Sequence, residues 1–377
     1  MLFLFWNRLE ILVESSCVNR RCDNSVSRLN SISRLIRSKS EVILRWFKLM
    51  NQFLAPPEYE NIILRCSLLT SMIKVSVIGV GNLGSCIAYE IARRNLADEL
   101  VLVDVRADLA EGNAGDISQA LAFKSNINIF SGEYRDVEGS DLIILTAGKP
   151  RTPQMKSRME LLEANKNIIK SVIEGIKDMA KDSIIVTLTN PVDVMNYLVW
   201  LYGDFRRERV LGSAGQLDSA RFRIVLSRRF RVPVLDVDGY VIGEHGENIV
   251  PVFSKVKVKG KKVNFTSNEK SEILEELRRT ALNVISKKGA TVYAPANNTV
   301  DIVEAVIKNE KKLFICSTVL NGEYGLKDVS IGVPVIVGKG GVEEIIEWDL
   351  SNDEADTLAS GAERLSHVIS KLRQAEN

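Results

Sequence analysis

At 377 residues, 45% hydrophobic and 26% charged, the chain has the composition of a folded globular protein with room for about two domains. A net charge of +2 excludes the strong basic field of a nucleic-acid binder, and no apolar run approaches the ~18 residues of a membrane span. The five cysteines, Cys17, Cys22, Cys66, Cys86 and Cys316, show neither metal-ligand nor disulfide-framework spacing. No metal, nucleic-acid or membrane partner is therefore expected, and sparse reduced thiols point to the cytoplasm.

The composition changes along the chain. Residues 1–71 carry ten Lys and Arg, eight of them Arg, against six Asp and Glu, and they hold ten Ser. Residues 72–377 carry 40 basic against 42 acidic residues, and most of their basic residues are Lys. "MLFLFW" is too short for a secretory core, and Glu10, Glu14, Asp23 and Glu41 speak against a transit peptide. The reading favoured here treats 1–71 as a leader upstream of a natural start at Met72.

From there the chain alternates strand and helix. "KVSVIG" (74–79) is a β-branched strand and "LGSCIAYEIARRN" (83–95) a helix. "ELVLVDV" (99–105) is a second strand, and Asp108 is expected to cap a helix over 108–123. "DLIILTAG" (141–148) and "SIIVTLTN" (183–190) read as strands buried on both faces, with a long helix over 158–181 between them. This order predicts an α/β fold with a Rossmann-type, doubly wound parallel sheet over 72–212. The rest, 213–377, reads as an α+β substrate domain. It has helices over 216–230, 267–288, after Asn298 and over 353–374, and an antiparallel meander from 313 to the "GKGG" turn.

"VIGVGNLGS" places Gly79, Gly81 and Gly84 in a G-x-G-x-x-G spacing between a strand and a helix. There the glycines permit a tight turn, close approach of a pyrophosphate and close helix packing, and the helix N-terminus attracts the anion. Asp104, 20 residues beyond Gly84 at the end of the second strand, suits the ribose hydroxyls of NAD. Arg106 leaves NADP use open.

Only two histidines occur, His245 and His367. His245 sits in "GEHGENIVPV", between glycines and carboxylates, where a proton-transfer group on a loop competes with an ordinary turn. Asp218 and Arg221 share one face of a helix. Arg151 and Arg158 follow the "LIILTAG" strand, and Asn190 ends the next one. Singly these are an ion pair, a solvated basic loop and a turn. Jointly, at the ends of strands where ligands bind, they suggest hydride transfer between NAD and a small acidic hydroxy compound, with arginines clamping carboxylate.

With those stretches in view, residues 73 to about 373 resemble the lactate/malate dehydrogenase superfamily, most closely its lactate-dehydrogenase-like malate branch. "TAGKPR", "SRMELLEANKNI", "TNPVD", "GSAGQLDSARFR", "GEHGENIVPVFS", "KKGATVYAPA" and "SIGVPVIVGKGG" carry the likeness. The resemblance implies that His245 exchanges the substrate proton while Asp218 holds its other nitrogen. It implies that Arg221 binds the C1 carboxylate and Arg158 polarises the C2 carbonyl. Asn190 would touch substrate and nicotinamide ribose, and Gly79, Gly81, Asn82, Leu83, Gly84, Asp104, Asn165 and Leu188 would line the cofactor site. Residues 148–157 resemble a mobile lid, and His367 matches no family site.

Arg151 matches a position that holds arginine in malate enzymes and typically glutamine in lactate enzymes. The expected substrate is therefore a dicarboxylate, and the expected assembly a homodimer or homotetramer. One departure stands out: "PRTPQMKSR" puts Arg151 and Arg158 seven apart, one more than the family pattern. A lactate or other 2-hydroxy acid dehydrogenase, and an NAD-binding protein without catalysis, remain the alternatives.

Overall fold

A run of six short strands carries the first half. In the computed structural model, which describes residues 72–149, 158–246 and 248–374, β1 (Lys74–Ile78), β2 (Glu99–Val103), β3 (Asn128–Ser131), β4 (Leu142–Leu145), β5 (Ile184–Thr187) and β6 (Val210–Gly212) pair in parallel. Their order is β3-β2-β1-β4-β5-β6, the doubly wound arrangement expected from the sequence. β4 and β5 are buried at every residue, as continuous apolar runs covered by helices on both faces must be. Residues 1–71 and Arg151 lie outside the described residues.

Helices α1 (Asn82–Arg93), α2 (Ala107–Leu121), α3 (Arg158–Ile176) and α4 (Val192–Gly203) connect these strands. Two expectations need correction. The N-cap of α2 is Arg106, and Asp108 sits inside its first turn, where its charge still complements the helix dipole. α3 ends at Ile176, five residues early, and a turn follows. α4 was not foreseen. Nine of its 12 residues are buried, so it lacks the polar stripe that marks an amphipathic helix.

The second half adds its longest strands to this same sheet. β12 (Lys312–Asn321), β13 (Lys327–Gly338) and β14 (Gly341–Ile345) form the expected antiparallel meander. β12 then pairs with β6 through Ser317 and Gly212, so parallel and antiparallel halves share one 11-stranded sheet. β13 in turn meets β8 (Val241–Gly243), which forms a hairpin with β9 (Ile249–Pro251). A small second sheet joins β7 (Val237–Asp238), β10 (Lys257–Val258) and β11 (Lys261–Lys262).

α5 (Gly215–Phe230), α6 (Ser267–Lys288), α7 (Tyr293–Ile307) and α8 (Asn352–Gln374) complete the unit. α7 begins five residues before Asn298, which lies inside it. α8 buries Leu358, Leu365, Ile369 and Leu372 along one face, while Val368 is half-buried and His367 exposed. Phe222 of α5 is fully buried against Phe253 edge to face, with ring centroids 5.4 Å apart. Burial of such a ring contributes roughly 1.5–3 kcal/mol and holds α5 beneath the β8–β9 hairpin.

Candidate active site

The strand order reverses between β1 and β4, and the chain leaves the carboxyl end of each strand there. Gly79 follows β1 with a φ of +92°, and a side chain on it would meet the Ala147 nitrogen at 2.5 Å. Gly84 is tighter: an added Cβ would lie 1.9 Å from the Gly79 carbonyl oxygen. Gly81 differs, because nothing in the protein lies within 4 Å of its missing side chain. Protein packing requires the first and third glycines, and the second faces the space a pyrophosphate would enter.

Gly81 is the N-cap of α1 and offers no side-chain cap, so the first-turn N–H groups at Asn82 and Leu83 are left for an anion. Asp104 leaves β2 and accepts the Val80 N–H at 2.8 Å and the Arg106 N–H at 3.0 Å. Asn113 of α2 donates to the Val80 carbonyl at 3.2 Å. The loop is thus pinned from two sides, with the acid at its rim. A dinucleotide fits this cradle.

Gly84→Ala tests the fit. Relieving the 1.9 Å approach means moving the loop, at about 1–3 kcal/mol. NADH affinity by fluorescence titration is expected to fall about ten- to a hundredfold, and an unchanged Kd would place the cofactor elsewhere.

The second constellation lies at the β8–β9 hairpin, whose loop contains the "GEHG" stretch. Gly243 and Gly246 flank it with φ of +86° and +151°, values that residues with a Cβ seldom adopt. Beneath it, α5 presses against β12 so closely that a side chain on Gly215 would approach Ile315 to 2.4 Å. Ser219 accepts the Val241 N–H at 3.0 Å and sets the register between α5 and β8. Asp218, one residue earlier, then meets His245: Nδ1 lies 2.6 Å from its Oδ2. A carboxylate only accepts, so Nδ1 carries the hydrogen and Nε2 faces the opposite way. Arg221 donates to the other Asp218 oxygen at 3.1 Å.

Burial drives these groups toward neutrality, and their partners oppose it. Burial pushes the Asp218 carboxyl up, but the charges and hydrogen bonds of His245 and Arg221 outweigh it and hold it below its ordinary value. Burial likewise pushes His245 down, while Asp218 and, more weakly, Asp193 raise it, so the imidazole binds its proton more firmly than usual. An imidazole with a fixed tautomer and a firmly held proton is equipped to donate to a developing oxyanion.

The other expected residues that are described lie on α3 and just beyond β5. Asn190 is exposed just beyond β5. Asn165 of α3 is 1% exposed and spends its amide on main chain: Oδ1 accepts the Lys149 N–H at 2.7 Å, and Nδ2 donates to the Asn190 carbonyl at 2.7 Å. It fastens Lys149 to the Asn190 turn. Leu188 is buried and bonded to β4 through Leu145. Arg158 opens α3. Asp193 was missed altogether. It lies in α4, three residues after Asn190, and accepts the His245 backbone N–H at 2.8 Å. The quoted "TNPVD" contains it, and a buried-helix reading of the apolar run behind it is the signal that could have found it.

Comparison with known proteins agrees with this layout. Residues 73–212 match the lactate/malate dehydrogenase NAD binding domain, and residues 215–376 the alpha/beta C-terminal domain of the same family. A malate dehydrogenase of Halobacterium salinarum is 44% identical over 298 residues, covering 78% of this chain and 98% of that protein. An L-lactate dehydrogenase of Clostridium acetobutylicum is 38% identical over 308 residues, covering 79% and 98%. The crystal structure of Cryptosporidium parvum malate dehydrogenase superposes with a TM-score of 0.76 at 32% identity, covering 80% of this chain and 99% of that one. With the phosphate loop in one matched domain and the His245–Asp218 pair in the other, the chain belongs to the lactate/malate dehydrogenase family.

Proposed function

We propose that the chain interconverts malate and oxaloacetate, using NAD. The observation that carries the reading is the 2.6 Å contact between His245 and Asp218, with Arg221 on the same carboxylate. It supplies an acid/base group and a carboxylate clamp side by side. The malate dehydrogenase relative at 44% identity supports the substrate.

The bound nicotinamide supplies the hydride acceptor for the C2 hydrogen of malate. The protein does the rest. His245 Nε2 takes the C2 hydroxyl proton, and the resulting imidazolium is balanced by Asp218. Arg221 grips the C1 carboxylate through its remaining N–H donors, since among the described residues it spends one on Asp218. Arg158, at the start of α3, stabilises charge on the C2 oxygen, and Asn190 orients substrate against the cofactor. Asp104 binds the adenosine ribose. In the direction of reduction His245 returns the proton.

Arg151 selects the dicarboxylate. In a closed site its cation pairs with the second carboxylate of oxaloacetate, whereas the methyl of pyruvate leaves it unpaired. The spacing from Arg151 to Arg158, one residue longer than the family pattern, favours a second reading as a lactate dehydrogenase. NADH oxidation followed at 340 nm with each oxo acid separates them. A preference of about 100-fold or more for oxaloacetate is expected, and comparable rates or a pyruvate preference would sink the malate assignment. NADH binding without turnover of either would favour a non-catalytic protein. The same reading makes 72–212 and 213–377 the cofactor and substrate domains of a cytoplasmic homodimer or homotetramer. Among the described residues no helix is long and apolar enough to cross a membrane.

A further inference from the structure

Asp193 is 2% exposed and stands in the first turn of α4. An acid there ordinarily caps its own helix or meets solvent. This one turns away from α4. Its Oδ2 accepts the backbone N–H of His245, 52 residues on, at 2.8 Å. Its Oδ1 accepts the hydroxyl of Ser317, 124 residues on, at 2.6 Å.

With the Asp193 carboxyl ionised, the surrounding hydrogens run one way. Ser317 has a single hydroxyl proton and directs it at Asp193, so its 2.9 Å contact with Ser330 must be one in which Ser330 donates. Ser330 in turn accepts from the Asn196 amide at 3.0 Å. Asn196, Ser330 and Ser317 therefore form a chain of donors that ends on Asp193, and the His245 N–H arrives from the other side. Every bond to this carboxyl is made to an acceptor. The network satisfies an anion at every bond and holds it directly behind the acid/base residue.

We propose that Asp193 is a positioning residue that fixes the main chain of His245 and, by its buried negative charge, sets the pH range in which His245 holds its proton. The proposal rests on the dehydrogenase reading for its consequence in catalysis. Burial pushes the Asp193 carboxyl up to about 6, and the bonds from Ser317 and His245 pull against that shift. The carboxyl is thus charged at neutral pH and close enough to neutrality for its charge to respond to acid. Among the described residues, the other charged groups facing His245 are Asp218 and Arg221 from α5, and Glu244 beside it, which is paired with Arg364 of α8. Of these, Asp218 raises the imidazole and Arg221 opposes it. Asp193 is the one that reaches the histidine through its backbone.

Asp193→Asn separates charge from shape. The amide oxygen still accepts the His245 N–H, while the donor chain through Ser317 must reverse. The full chain contains only two imidazoles, His245 and the exposed His367, so carbon-13-labelled histidine read by NMR follows each directly. In D193N the His245 midpoint is expected at lower pH than in the parent, with His367 unmoved. The kcat/KM for oxaloacetate at pH 8 should fall about tenfold, within the range that a positioned acid/base group commands, and its alkaline limb should move to lower pH. NADH affinity should stay within about twofold, since no contact of Asp193 reaches the phosphate loop.

An unmoved His245 midpoint in a D193N protein that binds NADH overturns the proposal. If D193N loses NADH binding, Ser317→Ala carries the test. Loss of that donor lets Asp193 neutralise nearer pH 7, so the His245 midpoint should again fall, and an unmoved midpoint is equally fatal. A parent chain inactive on both oxo acids would defeat the dehydrogenase reading, yet leave the NMR comparison valid.

Discussion

Replacing His245 by Asn lowers kcat for oxaloacetate reduction by about 10³- to 10⁴-fold, the upper part of the range for loss of a general acid. NADH binding stays within about twofold, because His245 lies on the β8–β9 loop and the phosphate loop lies beyond β1. Asparagine can still donate to Asp218, so the pocket keeps its shape and loses only the transferable proton. The parent supplies the pH signature. Its imidazole is raised by Asp218 and Asp193 against the pull of burial. Reduction needs the protonated ring, so its rate falls as pH rises through that raised value. Oxidation needs the neutral ring, and its rate falls as pH drops through the same value. Steady-state rates in both directions from pH 5 to 9 check this, and a variant that keeps more than a tenth of the parent rate would remove His245 from the mechanism.

Asp218→Asn is expected to cost about 10³-fold in kcat/KM, by a different route. The carboxylate receives Nδ1–H at 2.6 Å and Arg221 at 3.1 Å. An amide has one acceptor oxygen for these two donors, so either the imidazole tautomer or the arginine is misdirected. The imidazole also loses its largest raising influence and deprotonates more readily. Two signatures follow that His245→Asn does not share. KM for oxaloacetate rises, because the Arg221 clamp loosens. The residual reduction rate climbs as pH is lowered, because acid restores the proton that Asp218 no longer helps retain. A flat profile between pH 5 and 8 would contradict this division of labour.

The parallel half of the fold was readable because its strands announce themselves. Ile143, Ile144 and Leu145 sit in an unbroken apolar run, and such runs have few other uses when helices alternate with them. The phosphate loop was readable for a related reason, since Gly79 and Gly84 are required by backbone contacts at 2.5 and 1.9 Å that no other residue allows. α4 left no such trace. Its buried faces surround it, so its apolar residues have no period, and its polar residues Asp193 and Asn196 are its connections to β12 and β13. The cap of α2 was misassigned because Asp108 has the right chemistry two positions too late. Asn165 illustrates a limit of another kind. Its place in the motif implies a cofactor contact, its bonds to Lys149 and Asn190 add a bracing role, and residue type alone does not announce the second.

The junction of the two halves has a bearing on how such a protein can be altered. β6 and β12 are joined through one facing pair, Gly212 and Ser317, and a side chain on Gly212 would come within 2.9 Å of the Ser317 Cβ. Ser317 is also the residue whose hydroxyl reaches Asp193. A hybrid built from the first half of one relative and the second half of another would be cut at this point. Its parts would be compatible only if glycine, serine and aspartate came from parents that agree on all three. On the proposed function, substrate preference has no such restriction, since Arg151 precedes α3 in sequence and Arg158 opens it, at a distance in sequence from all three. Ancestry can therefore revise what the enzyme reads far more freely than it can exchange the halves that do the reading.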